Sequence, residues 1–312
     1  MYDIIPCLKA IHIPLRIEGY RLNKKENVLD LLIVLIGVGV LITAAFGFFY
    51  SNGGERFTAV NVYGNTVELY GDGIYAYNSV FTVANRLGAD AAGSVFAIGL
   101  IALTLWKKRP LWAEIIRTSL LILLAYFSAC LVFGVSMNAL YFLYVTCLGL
   151  SIFVSFILVQ NLLKRIAIPQ SLQEKRLTGT GIFLISAGMI TASLWVSSII
   201  PAILNNGYGT LLGIQTTEAT YGLDLSMACP IMILCGIWLL MKKDVGYKVA
   251  PLLLNMLVGI AVLVLCQRAF CVKLGIAIPL GALIGFIVSF VIMGVISLFL
   301  SIKLLKQLER AD

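Results

Sequence analysis

The sequence predicts an all-α polytopic membrane protein of about eight transmembrane helices, with both termini cytoplasmic and a small extracytoplasmic β-hairpin between helices 1 and 2. Three observations predict it. Of 312 residues, 60% are hydrophobic and only 12% charged, about half the charge of a soluble domain of this length. Eight apolar runs, near 28–49, 90–106, 118–137, 140–163, 180–204, 222–241, 249–267 and 275–302, can each supply the roughly 17 to 25 residues that cross a bilayer as helix. Finally, alternate connections are basic. With the N-terminus inside, segments 9–25, 107–117, 164–176, 242–248 and 303–310 share one side and hold 19 of the 23 Lys and Arg; Arg56, Arg86, Arg268 and Lys273 stay outside. Positive charge is retained on the cytoplasmic face during insertion, so this split sets the orientation. The net charge of +8 is therefore a topology signal, and nucleic acid is not an expected partner.

Residues 1–27 form the first unit. Lys9, Arg16, Pro6 and Pro14 interrupt its apolar run, so it reads as a segment at the cytoplasmic interface and not as a cleaved leader. Glu26 and Asp30 mark the start of the first helix, where acids favour an N-terminus.

Residues 28–163 carry helices 1 to 4 with a long outer loop at 50–89. Within it, "TVELYGDGIYAY" places Val67 and Leu69 before a Gly71-Asp72-Gly73 turn and Ile74 and Ala76 after it. Asp-Gly between alternating segments predicts a hairpin there, because both residues tolerate positive φ. Val80, Phe81, Ala84 and Leu87 follow at helical spacing and predict a short interfacial helix, with Asp90 capping helix 2. This outer cap, with Tyr70, Gly71, Asp72, Gly73 and Tyr75 at its centre, reads either as a lid over an outward cavity or as a rigid plug anchored by interfacial tyrosines.

Residues 164–179 form a cytoplasmic linker, and 180–312 carry helices 5 to 8 with a second outer loop at 205–221. The element order of the two halves, each with a Trp (Trp106, Trp238) before paired lysines, fits a 4+4 parallel repeat about the membrane normal. It also fits ordinary belt chemistry at an inner flank. Pro201 and Pro230 are positioned to break helices 5 and 6. Gly281, Gly285 and Ser289 recur every four residues on helix 8 and predict a helix-packing face.

Candidate substrate-binding residues concentrate at the outer ends. Asp224 is a carboxylate in the first turn of helix 6, with Glu218 just outside; an acid near hydrocarbon usually faces a cavity or partner, although a helix N-terminus also favours one. Arg268 lies at the outer end of helix 7, within plausible pairing reach of Asp224 or Glu218. Asn138 sits in a tight outer turn, followed by Tyr141 and Tyr144 on one face of helix 4.

Other chemistry is sparse. His12 is the only histidine and no GxxxxGK[ST] motif occurs, so no metal site, cofactor or bound nucleotide is expected. No nucleophile stands at helical spacing from a base, so no catalytic residue is assigned and nothing points to an enzyme. No relay of ionisable groups crosses the bilayer, which argues against a proton pump. The cysteines are scattered singly, and only Cys266 and Cys271 lie where a disulfide is conceivable.

The stretches "TVELYGDGIYAYNSVF", "SMNALYFLYVTCLGLSIF" and "YGLDLSMACP" resemble a family of bacterial multi-span inner-membrane proteins with an outer Tyr-Gly-x-Gly-x-Tyr loop and no established activity. Gly71, Gly73, Tyr75, Asn138, Tyr144, Asp224 and Pro230 are the matching positions. The resemblance implies an architecture and a bacterial inner-membrane location, with no catalytic role to carry over. The residues themselves favour a transporter or permease-like protein with an outward-facing solute site. The alternative is a non-catalytic sensor or accessory subunit that binds a ligand or a membrane-protein partner through the hairpin.

Overall fold

The structure, a computed structural model, describes residues 15–173 and 177–309, the first twelve of these as backbone alone. Among the described residues, eight helices are long and apolar enough to cross a membrane: span 1 (Asn27–Phe49), span 2 (Val80–Leu105), span 3 (Leu111–Gly134), span 4 (Tyr141–Arg165), span 5 (Thr178–Leu204), span 6 (Ala219–Leu240), span 7 (Asp244–Lys273) and span 8 (Leu283–Glu309). The chain is thus an integral membrane protein of the expected class. The helix of span 1 is continuous from Leu15; residues 1–14, with Cys7 and His12, lie outside the described residues.

Large apolar side chains remain exposed around the bundle, among them Leu35, Phe142, Phe153, Met189, Val295 and Phe299. That belt is the surface a bilayer would solvate. With lipid outside, small residues set how closely helices approach. Spans 5 and 6 touch backbone to backbone where Gly181 meets Gly236. Spans 2 and 7 cross where Gly88 lies on the backbone of Gln267.

Span 7 is central and packs on spans 2, 3, 6 and 8. Spans 1 to 4 form one core around Ile36, Leu100, Leu124 and Tyr144. Spans 5 to 8, with the inner ends of spans 3 and 4, form another around Leu184, Leu239, Tyr247 and Leu254. Consecutive spans pair within each half. Span 1 also packs along span 4, whereas spans 5 and 8 meet at Trp195 and Phe286.

Several helices run further than their apolar stretches because their charged ends find partners. Arg117 donates to Asp30 at 2.6 Å and pairs with Glu114 at 2.8 Å, while Arg109 pairs with Glu114 at 2.6 Å and with Asp30 at 3.4 Å. This network ties span 1 to spans 2 and 3 at the inner end, so helix continues into residues that hydropathy alone excludes. In the middle of the bundle Asn255 donates to the carbonyl of Pro251 and accepts from Ser301 at 3.0 Å. It thereby adds a donor to the proline's own carbonyl and joins spans 7 and 8.

The hairpin exists, but its turn lies earlier than the sequence suggested. Strand β1 (Phe57–Val60) pairs antiparallel with β2 (Thr66–Leu69), Phe57 opposite Leu69 and Val60 opposite Thr66. The turn is Asn61–Asn65, where the Asn61 carboxamide accepts from the amides of Tyr63 and Asn65 at 3.0 and 2.9 Å. Gly71 and Gly73 do have positive φ, yet they shape the following loop, which closes with a single bridge between Leu69 and Ser79. At Gly71 a Cβ would collide with the Glu55 carbonyl.

Asp72 holds that loop to the end of span 1. Its carboxylate accepts from the Ser51 hydroxyl at 2.8 Å and from the amides of Asn52 and Gly53 at 2.9 and 3.1 Å. The Ser51 hydrogen bond, aided by the backbone amides, holds the Asp72 carboxyl below its usual range. A depressed folded value means that the stabilisation is present above the unfolded value of about 3.9 and is lost as pH falls through the lower folded value. Asp72→Asn should therefore speed proteolysis of the cap at neutral pH, and the wild-type difference should disappear under acid conditions. Equal cleavage rates at pH 7 would remove Asp72 as the tether.

The two long outer loops dock on each other, which places them on one side as the charge split requires. Asn61 Nδ2 donates to the carbonyls of Gly209 and Gly213 at 3.1 and 2.7 Å, and the rings of Tyr63 and Tyr208 pack at 5.8 Å. Gln215 donates to the Gly134 carbonyl, and Ser136 donates its amide to Asn78 and its hydroxyl to the Tyr77 carbonyl. Together they form a cap over the outer ends.

Candidate functional site

Span 2 begins with Ser79 as its N-cap, whose hydroxyl accepts from the Thr82 amide at 3.1 Å. The predicted interfacial helix and span 2 are one continuous helix, so Asp90 is not a cap. It lies eleven residues in and is 0% exposed. Arg86, one turn earlier on the same face, is 7% exposed. An Arg and an Asp thus stand four residues apart inside the bundle, where isolated charges are costly.

Neither is fully satisfied by the protein. Asp90 Oδ2 accepts from the Tyr75 hydroxyl at 2.9 Å, while Asp90 Oδ1 and Arg86 Nη1 are buried without a hydrogen-bond partner. No ion pair within 4.0 Å joins the two among the described residues. Burial, reinforced by Asp90, pushes the Tyr75 phenol well above its ordinary range. It therefore keeps its proton and remains the donor that fastens the cap to span 2. The Tyr144 hydroxyl, also buried, faces Tyr75, Asn138 and Asp90.

A narrow crevice runs inward from Arg86 between spans 2, 3 and 7, bordered by Tyr126 and Cys130 at its polar end and by Phe96, Leu123 and Phe127 below. It has room for about one water molecule. On its far side the Tyr126 hydroxyl lies beside Asp224. Asp224 Oδ2 accepts from Trp195 Nε1 at 2.8 Å, and the Trp195 ring packs on Tyr221 and Phe286 at 5.0 and 5.1 Å. A polar layer thus crosses the bundle from Tyr144 on span 4 through Asp90, Arg86 and Tyr126 to Asp224 and Trp195. At 1.5 Å per residue these side chains stand about 22 to 32 Å from the inner ends of their helices, within the outer half.

The sequence-predicted site residues fall around this layer unevenly. Asp224 is buried and opens a π-helical turn, Asp224–Ala228, that leads into Pro230. The wide turn relieves the proline, so span 6 is distorted there; Pro201 stays inside span 5. Glu218 accepts from Thr220 as the N-cap of span 6 and lies within electrostatic reach of Arg86. Tyr144 joins the layer. Asn138 accepts from the Leu140 amide, a turn role, and Tyr141 packs on Phe142. Arg268 forms no ion pair with Asp224, which turns to Trp195; its Nη1 is buried without a partner. Cys266 and Cys271 are both free thiols of one helix.

Among the described residues, Gly281, Gly285 and Ser289 show no close helix contact of the kind their spacing predicts. Nothing lies within 4 Å of a Cβ at Gly281, and Gly285 meets only Leu194. A π-helical segment, Leu283–Val288, shifts the register of the three. The close contact of span 8 comes later, where Gly294 meets Ala261.

Arg86, Asp90, Tyr126 and Trp195 were not singled out as site residues by sequence reasoning. The available signal was "RLGAD", an Arg and an Asp at i, i+4 ahead of a long apolar run.

No protein-family model, curated protein or solved structure matches the chain. The site therefore has to be interpreted from its own geometry.

Proposed function

We propose that this integral membrane protein is a transporter or permease-like protein of a bacterial inner membrane, with a solute site that opens outward beneath the cap. The observation that carries this reading is Arg86, buried with one nitrogen unpartnered at the polar end of a crevice, with Asp90, likewise incompletely bonded, one turn further along span 2. A purely structural pair would complete its own hydrogen bonds, since an unmet buried polar atom costs about 1 to 3 kcal/mol. Asp224 and its Trp195 bond form the second wall.

The test is uptake of labelled amino acids, sugars, carboxylates and inorganic ions into proteoliposomes. At least one class should move with the wild-type protein, and Asp224→Asn should cut that rate by at least about tenfold, the equivalent of one charge-assisted hydrogen bond. If a folded, reconstituted protein moves none of them, the reading fails.

One observation favours the sensor or accessory reading. The cap exposes Val60, Val62 and Tyr77 at 68%, 72% and 65%, an apolar surface that a membrane-protein partner would cover. On that reading, replacing these three by Ser abolishes co-purification of a partner while the spans still insert.

A further inference from the structure

Spans 5 and 8 meet at Trp195 and Phe286 near their outer ends. At their inner ends a cavity of about 150 Å³ lies between the start of span 5 and the last turns of span 8, bordered by Thr178, Gly179, Thr180, Lys303 and Gln307. That is about ten times the room one water needs. Its chemistry is that of a donor set. The first intrahelical bond of span 5 runs from Gly181 to the Leu177 carbonyl at 2.8 Å, and Leu177 supplies no side-chain cap, so the amides of Thr178, Gly179 and Thr180 have no acceptor in their own helix. Thr180 is 8% exposed and borders the cavity, and its hydroxyl has no hydrogen-bond partner among the described residues. Lys303 adds a positive charge, and no acid borders the cavity among the described residues. The Gln307 carboxamide oxygen is buried without a partner and can accept from a hydroxyl.

We propose that this cavity takes the phosphate group of an anionic, hydroxyl-bearing phospholipid from the cytoplasmic leaflet. Free amides at a helix N-terminus favour phosphate, and basic pockets between spans on the cytoplasmic side suit anionic head groups. Nothing lies within 4 Å of a Cβ at Gly179, so the approach to the amides is open. The surroundings favour a lipid over free phosphate. One turn nearer the bilayer centre than Thr178 stands Ile182, and one turn nearer than Lys303 stands Phe299, exposed at 54% and 67%. They give acyl chains an apolar surface next to the head group.

Native mass spectrometry of the full chain, titrated in non-ionic detergent with dioleoyl phosphatidylglycerol, tests this. Dioleoyl phosphatidylethanolamine has the same phosphodiester with an ammonium that would face Lys303, and dioleoylglycerol has no phosphate. The wild type should retain one phosphatidylglycerol at least about tenfold more tightly than either. Lys303→Gln should abolish the preference between the two phospholipids. Gly179→Asp places an acid in a first turn, where the helix dipole favours it, so the variant should melt no earlier than the wild type. Its carboxylate should nevertheless weaken phosphatidylglycerol at least about tenfold.

Equal retention of the three lipids overturns the proposal, as does unchanged phosphatidylglycerol binding in Gly179→Asp. A cavity that holds only water gives both results. Inorganic phosphate that raises the melting temperature of the wild type and not of Gly179→Asp, without any lipid preference, assigns the cavity to a free anion and overturns the lipid assignment.

Discussion

Arg86→Leu is expected to destabilise the protein by about 1 to 3 kcal/mol, and the double variant Arg86→Leu/Asp90→Leu is expected to recover most of that loss. The single change removes the only charge that Asp90 faces on its own helix and leaves its carboxylate buried with one bond, from Tyr75. The double change replaces both groups with apolar ones, the first of them beside a wall already lined by Phe96, Leu123 and Phe127. Such replacements are often neutral or stabilising, because two ions no longer have to leave water. A residual cost of about 1 kcal/mol remains for the lost Tyr75 bond to the cap.

Thermal unfolding in detergent of the wild type, both single variants and the double variant gives the coupling directly. Additive losses would mean that the two side chains do not sense each other. Recovery of stability carries a second consequence. A well-folded double variant that has lost uptake or ligand binding would separate the chemistry of the pair from its structural role. Neither single leucine substitution makes that separation, because each leaves the other group without its counterpart.

The architecture was legible in the sequence because each feature that sets it is local. A run of about 20 apolar residues spans a bilayer whatever its neighbours do, and basic flanks fix orientation one loop at a time. The site was less legible because its partners come from distant segments. A carboxylate at the edge of an apolar run resembles a cap, and Asp90 was read so; what keeps it inside the helix is Tyr75, a loop residue placed by the docking of the cap. Asp224 was found, but its partner Trp195 belongs to another span. Gly71-Asp72-Gly73 carried a real conformational signal, positive φ at both glycines, assigned to the wrong turn. Asn61 turns the hairpin because its side chain also reaches Gly209 and Gly213, a tertiary contact with no trace in the local sequence.

Helix contacts show the same limit, and Gly88→Val is the substitution expected to test it most sharply. A side chain at Gly88 would enter the backbone of Gln267 and Cys266. Backbone cannot move aside as a flexible side chain can, so overpacking here should cost more than the usual 1 to 3 kcal/mol. Spans 2 and 7 would separate, and with them a main contact between the two halves of the bundle. The crevice beside Arg86 lies along that seam, so any ligand-dependent thermal shift should vanish too. Gly281→Val is the matched control: among the described residues nothing of another element lies within 4 Å of a Cβ there, and the change should stay within about 0.5 kcal/mol. The two glycines look alike in sequence, and Gly281 has the more regular spacing. Comparable thermal shifts from the two substitutions would mean that span 8 packs through Gly281 against a second chain, or that spans 2 and 7 do not cross at Gly88.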